Sequence, residues 1–210
     1  MKLSPRHQKG FTLVEILIAV AILAALAAGM WEASAYIKNR SLKNQAETQI
    51  HLLEASMNAY KADSGGYLPD AKGDLYSAHV LYKTLNKDEN NDGEPDELKG
   101  ELQMPYCESF YVMKNTKEAE EQEGIPVVKI KMKAVINGQR KSGKAFVIMD
   151  PWGQPYRYRL GFEAETESGK EGSGMNPDFD IFSLGPDGLG DGRTNEGENE
   201  DNVTNVRSWK

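Results

Sequence analysis

The sequence predicts an α+β protein, with one long N-terminal helix packed on a small antiparallel sheet head. Three observations predict it. Phe11 to Trp31 carries a single charge, Glu15, and a run of that length and apolarity suits a helix able to cross a bilayer. Leu42, Ala46, Ile50, Leu53, Met57 and Tyr60 then recur at steps of four, four, three, four and three. That spacing is one apolar stripe, with Lys, Glu, Gln and Asn on the other faces. Farther on, Ile130, Met132, Ala134 and Ile136 alternate with Lys129, Lys131 and Lys133, a strand with one wet face.

The elements follow in order. Residues 1–10 carry Lys2, Arg6 and Lys9 and no acid. A basic segment before an apolar run is how an export signal begins. Here the run passes straight into polar residues that also suit a helix, so the span, 11–31, is expected to be retained. Charge does not orient it, because Lys38, Arg40 and Lys43 follow it and balance the bases before it. The amphipathic half, 32–64, stops at Ser64-Gly65-Gly66, with Pro69 shortly after. The head is 65–210. Leu75 to Leu85 predicts a short second helix. Ala145 to Met149 is a short apolar run, and Asp150-Pro151-Trp152-Gly153-Gln154-Pro155-Tyr156 reads as a turn carrying an aromatic core plug before a strand.

Charge narrows the function classes. The chain carries a net −7, and Glu163 to Lys210 holds twelve acids against four bases. Nucleic-acid binding needs a basic face for phosphate contacts and is not expected. A dense acidic segment fits either solvation or a hard cation. The single cysteine, Cys107, has no partner for an internal disulfide and reads as a small half-buried residue. His51 and His79 lack metal-ligand spacing and are expected at the surface. No nucleophile elbow, phosphate loop or dinucleotide fingerprint appears, so an enzyme is not expected.

Glu15 is the odd feature, since a carboxylate inside an apolar span is costly unless it faces a partner or snorkels to the headgroups. The string Lys9-Gly10-Phe11-Thr12-Leu13-Val14-Glu15 resembles the processing site of type IV prepilins and type II secretion pseudopilins. The resemblance implies cleavage between Gly10 and Phe11 by prepilin peptidase, a membrane aspartyl peptidase, and N-methylation of Phe11. It further implies that Glu15 pairs with the Phe11 amine of a neighbouring subunit. An ammonium partner in low dielectric would offset the cost of burying the carboxylate and set the axial register. It places the leader in the cytoplasm and the head in the periplasm, on a single-pass inner-membrane protein. One departure stands out: where the family often has a proline about twenty residues into the mature chain, this sequence has Gly29-Met30-Trp31-Glu32.

Two head motifs narrow the resemblance. Tyr60-Lys61-Ala62-Asp63-Ser64-Gly65-Gly66-Tyr67-Leu68-Pro69 and the Asp150 turn are similar to elements of the major pseudopilin of type II secretion. Asp180-Ile181-Phe182-Ser183-Leu184-Gly185-Pro186-Asp187-Gly188 resembles that family's last strand running into its calcium loop. Calcium takes six to eight oxygens on flexible backbone. The resemblance implies side-chain ligands at Asp187, Asp201 and Asn202 and carbonyls at Leu184 and Asn199. The family usually has an aspartate where Asn202 stands, so the site is expected to be weakened. On composition alone, a solvated acidic tail remains open. A second acidic loop, with Asp88, Asn90, Asp92 and Asp96 around Gly93, begins as an EF-hand-type loop does. Its twelfth position is Lys99 instead of Glu, and both a cation site and a solvated turn stay open. Residues 86–144 read as an insertion relative to the compact pseudopilin.

The expected role is a structural subunit of a type II secretion pseudopilus. Its partners would be itself in a helical homopolymer, minor pseudopilins, prepilin peptidase, the inner-membrane assembly platform, and the membrane before assembly. A type IV pilus subunit for adhesion, motility or DNA uptake is the alternative. A membrane-anchored calcium-binding domain that never polymerises is a third reading, against which the processing site counts.

Overall fold

A computed structural model describes residues 11–68, 74–98, 100–113, 124–136, 139–164, 172–192 and 202–206. The chain divides into two units, Met1–Ser41 and Leu42–Lys210. Helix α1, Leu13–Ser64, starts in the first and ends in the second.

In the first unit every side chain from 11 to 27 is exposed, with Phe11 at 83% and Leu13 at 77%. Among the described residues no helix is long and apolar enough to cross a membrane. The expected span, 11–31, reaches residues 28–31, whose side chains lie outside the described set.

In the second unit the expected stripe faces the core. Ala46, Ile50, Leu53 and Met57 are each no more than 1% exposed, while Leu42 and Tyr60 are half-buried. Full burial of Ile50, Leu53 or Met57 contributes about 1.5–3 kcal/mol each. The helix ends where Gly65 takes a positive φ of 75° and donates its amide to the Lys61 carbonyl at 2.9 Å. This is the left-handed residue that closes many helices. Helix α2, Asp74–Asn86, runs one residue past the predicted bounds at each end and buries Ala78, Leu81, Tyr82 and Leu85.

Eight strands follow: β1 (Glu97–Leu98), β2 (Glu101–Leu102), β3 (Phe110–Val112), β4 (Ile125–Ile136), β5 (Gln139–Ile148), β6 (Arg157–Leu160), β7 (Phe179–Ser183) and β8 (Val203–Thr204). They form three small sheets, β1-β2, β3-β4-β5 and β6-β7-β8, where one antiparallel sheet was predicted. All pairings are antiparallel except β3 with β4, which is parallel. Alternation along β4 reveals a strand but not its neighbour. The expected last strand is also corrected: β7 is central in its sheet, and β8 pairs beyond it.

The Asp150 turn ties β5 to β7. Asp150 is 2% exposed; its carboxylate accepts the amides of Trp152 and Gln154 at 3.0 and 2.7 Å and the Ser183 hydroxyl at 2.5 Å. Burial pushes its carboxyl above the usual range, against the pull of those donors. The fully buried aromatic is Tyr156, whereas Trp152 is half-buried. The Tyr156 hydroxyl donates to Gln49 Oε1 at 2.7 Å, and Gln49 Nε2 donates to the Gly124 carbonyl at 2.7 Å. A buried amide on α1 thus has both ends satisfied, which its burial requires.

Candidate functional site

The N-terminal candidate is built on the first turn of α1. Gly10 lies outside the described residues; Phe11 stands two residues before the helix, which starts at Leu13. The Thr12 amide and hydroxyl both donate to Glu15 Oε2, at 2.8 and 2.9 Å, and the Glu15 amide donates to Thr12 Oγ1 at 3.2 Å. This reciprocal pattern is a capping box, Thr-x-x-Glu before an apolar run. Sequence reading passed over it, although the spacing alone carries the signal. The capping box holds Glu15 at the helix start with Oε2 engaged, on a surface that is apolar all round. A helix apolar on every face needs a partner on every face.

The C-terminal candidate begins where β7 ends. The Gly185 amide donates to Ser183 Oγ at 3.0 Å, and Asp187, exposed on the turn that follows, accepts the Leu189 amide at 2.8 Å. Gly192, at φ +69°, passes so close to Phe182 that a Cβ would lie 2.3 Å from its ring. Asn202 is buried and enters β8, whose Val203 pairs with Ser183. That register sets Leu184 beside Asn202, eighteen positions away in sequence. Asn199 and Asp201 lie outside the described residues. The donors in place are all oxygens, as calcium prefers. Among the described residues, no group of three or more His, Cys, Asp or Glu is placed to hold a metal.

The second acidic loop closes on itself. Asp88 is fully buried and accepts the amides of Asp92 and Gly93 at 3.0 and 2.9 Å. Asn90 accepts the Asp92 amide, Asp92 that of Glu94, and Asp96 that of Glu89. These bonds hold the loop in its turns. The loop also docks on β5: Asn91 donates to the Lys144 carbonyl at 2.7 Å and accepts the Phe146 amide at 3.3 Å, a side chain standing in for a strand.

Two further residues depart from expectation. His79 is half-buried, with Nδ1 2.9 Å from the Phe146 carbonyl, because α2 packs on β5; His51 is exposed as expected. Cys107 is buried, 4% exposed, and burial pushes its thiol up, which makes it unreactive. In the first head motif, Tyr67 and Lys61 both bind Asp178, the lysine at 3.2 Å.

Comparison with known proteins adds two findings. Residues 5–31 match the family model described as the prokaryotic N-terminal methylation motif. The chain is also similar to the type II secretion system core protein G of Pseudomonas aeruginosa. The two are 26% identical over 196 residues, which is 92% of this chain and 94% of that protein.

Proposed function

We infer that this chain is a structural subunit of a type II secretion pseudopilus, of the major pseudopilin kind. The observation that carries the reading is a coincidence of two scales. A methylation motif sits on residues 5–31, and the likeness to core protein G runs through the head and nearly the whole chain. The motif alone would fit any pilin-like subunit.

From that premise the finer roles follow as proposals. Prepilin peptidase cuts after Gly10 and Phe11 is then methylated. Residues 11–31 anchor the chain in the inner membrane, head in the periplasm, until assembly. In the filament the apolar first half of α1 is covered by other copies, and Glu15 Oε1 meets the Phe11 amine of a neighbour while Oε2 keeps its Thr12 bonds. Minor pseudopilins and an inner-membrane platform are the expected partners. Expression with prepilin peptidase, followed by intact mass of the membrane-extracted protein, tests the first step. Loss of residues 1–10 and gain of one methyl is expected; a chain with residues 1–10 still attached would overturn the reading.

We further propose that the loop after Leu184 holds one calcium, through Asp187, Asp201 and Asn202 and the carbonyls of Leu184 and Asn199. Support comes from the oxygen donors and from the β7-β8 register that joins the two ends of the loop. Binding only the folded form would stabilise by about 2.7 kcal/mol at a hundredfold excess over the dissociation constant. Thermal melts should rise with calcium and fall with a chelator, and Asp187→Ala should remove most of the difference. Identical midpoints in both buffers would leave the segment as a solvated tail.

A further inference from the structure

The β4-β5 hairpin is long for this head and unlike it in charge. Residues 129–144 contain Lys129, Lys131, Lys133, Arg140, Lys141 and Lys144 and no acid, in a chain of net −7. Strand β3 flanks β4 only at 125–127, and Asn91 covers the β5 edge at Lys144 and Phe146. Farther out, among the described residues, the hairpin is a two-stranded ribbon. Its register sets Lys131 directly opposite Lys144 and Lys129 opposite Phe146.

Like charges directly across a strand pair are destabilising. Lys131 and Lys144 are both exposed, and neither has an ion-pair partner among the described residues. Lys129 covers the Phe146 ring, 4.4 Å from its centroid. The hairpin therefore presents unneutralised cations that an anionic partner would relieve.

The same unit carries a surface of complementary chemistry. A groove of about 600 Å³ between the end of α1 and the loop after α2 has Tyr60, Asp63, Lys87, Glu89, Asp96, Glu97 and Tyr106 in its lining. Tyr60 and Tyr106 meet edge-on, 5.5 Å between centroids, and Tyr106 donates to Asp63. Lys83 answers Glu89. Glu97 stands exposed beside Leu98. Carboxylates around aromatic rings suit a lysine, an ammonium on an apolar stem: the chain's own Lys87 lies over the Tyr106 ring, 4.4 Å from its centroid, while Glu97 has no ion-pair partner among the described residues.

We propose that the basic β4-β5 ribbon is a docking arm that seats in the Glu97 groove of a second copy of this chain. Donor and acceptor are different surfaces of one subunit, so the contact is heterologous and propagates into an open filament instead of closing a dimer. This rests on the filament reading above and deepens it: the head, and not α1 alone, sets the neighbour's position.

The test uses the full chain in a host that supplies prepilin peptidase and the assembly machinery, with sheared filaments collected and weighed against membrane-bound subunit. Lys131→Glu with Lys144→Glu keeps a like-charge pair across the strands, so hairpin stability should change little. Filament yield should fall about tenfold or more, because like charges then face each other across the interface. Adding Glu97→Lys should restore part of it. Independently, a chain with Lys131→Cys and Glu97→Cys, treated with a short thiol cross-linker, should give a ladder of oligomers that neither single variant gives. A near-normal yield from the charge-reversed chain, or no ladder from the paired cysteines in filaments that do form, overturns the proposal and leaves the filament reading intact. Normal filaments together with lost cosedimentation on phosphatidylglycerol vesicles would assign the arm to a membrane surface and overturn it too. Absence of filaments from the correctly processed wild type would overturn the filament reading, and the arm with it.

Discussion

The two halves of α1 share one helical period and are used in opposite ways. From 11 to 27 no side chain is covered, although nearly all are apolar. From 46 to 57 four apolar side chains are sealed at 1% exposure or less, and the buried polar ones among them, Gln49 and Ser56, have their hydrogen bonds met within the chain. The second half is finished by its own chain. The first half is finished only by something else, and its capping box fixes a carboxylate at the start of that unfinished surface. A helix can thus be a folding element at one end and an assembly element at the other.

Core truncation should separate the halves most sharply. Leu53→Ala should destabilise the head by about 2–5 kcal/mol. Leu17→Ala should leave head stability within about 0.5 kcal/mol. Denaturant titration of the detergent-solubilised full chain, read by head tryptophan fluorescence, checks both. An equal loss from the two variants would break the comparison.

Asp150→Ala comes next. It strips acceptors from two amides and the Ser183 hydroxyl inside the head, and orphaned buried donors cost about 1–3 kcal/mol. The same titration should show the loss with filament formation unimpaired at temperatures where the head remains folded.

Gly65→Ala sharpens the boundary of the folding half. A Cβ at Gly65 meets nothing within 4 Å, so only the left-handed backbone resists it, by about 1–2 kcal/mol. A stability unchanged by the substitution would mean that the helix end can relax.

The smallest effect is electrostatic. The hydrogen bond from Tyr67 and the Lys61 ammonium hold the Asp178 carboxyl below the usual carboxylate range. A depressed folded value means that the contribution is present above the unfolded pKa and lost as pH falls through the folded one. The pair is half-exposed, so Lys61→Ala should cost less than about 1 kcal/mol near neutral pH, and the gap to wild type should close in acid.

How much of this was legible in the sequence depended on the range of the interaction. The α1 stripe, α2, and the start of β6 were readable because period and turn chemistry are local. The parallel pairing of β3 with β4 was not, since period-two alternation does not name a neighbour. Tyr156 was not separable from Trp152 as the core plug, because its partner Gln49 lies more than a hundred residues away. At the candidate sites, Glu15 stood out as a lone charge in an apolar run, and its Thr12 partner was visible in the spacing but passed over. The bonds that turn Asp88 inward were hidden, because the same residue types at the same spacing also suit a cation.

The most direct measurement is filament formation by Glu15→Ala in a host with the complete assembly machinery, imaged and quantified beside wild type. The variant should be cleaved and methylated normally and keep the wild-type thermal midpoint of its head, because Glu15 belongs to the other unit of the chain. It should form essentially no filaments, because the neighbour's terminal amine then has no partner in an apolar core. Filaments from this variant at wild-type yield would contradict the claim that the exposed half of α1 is completed by other copies through that carboxylate.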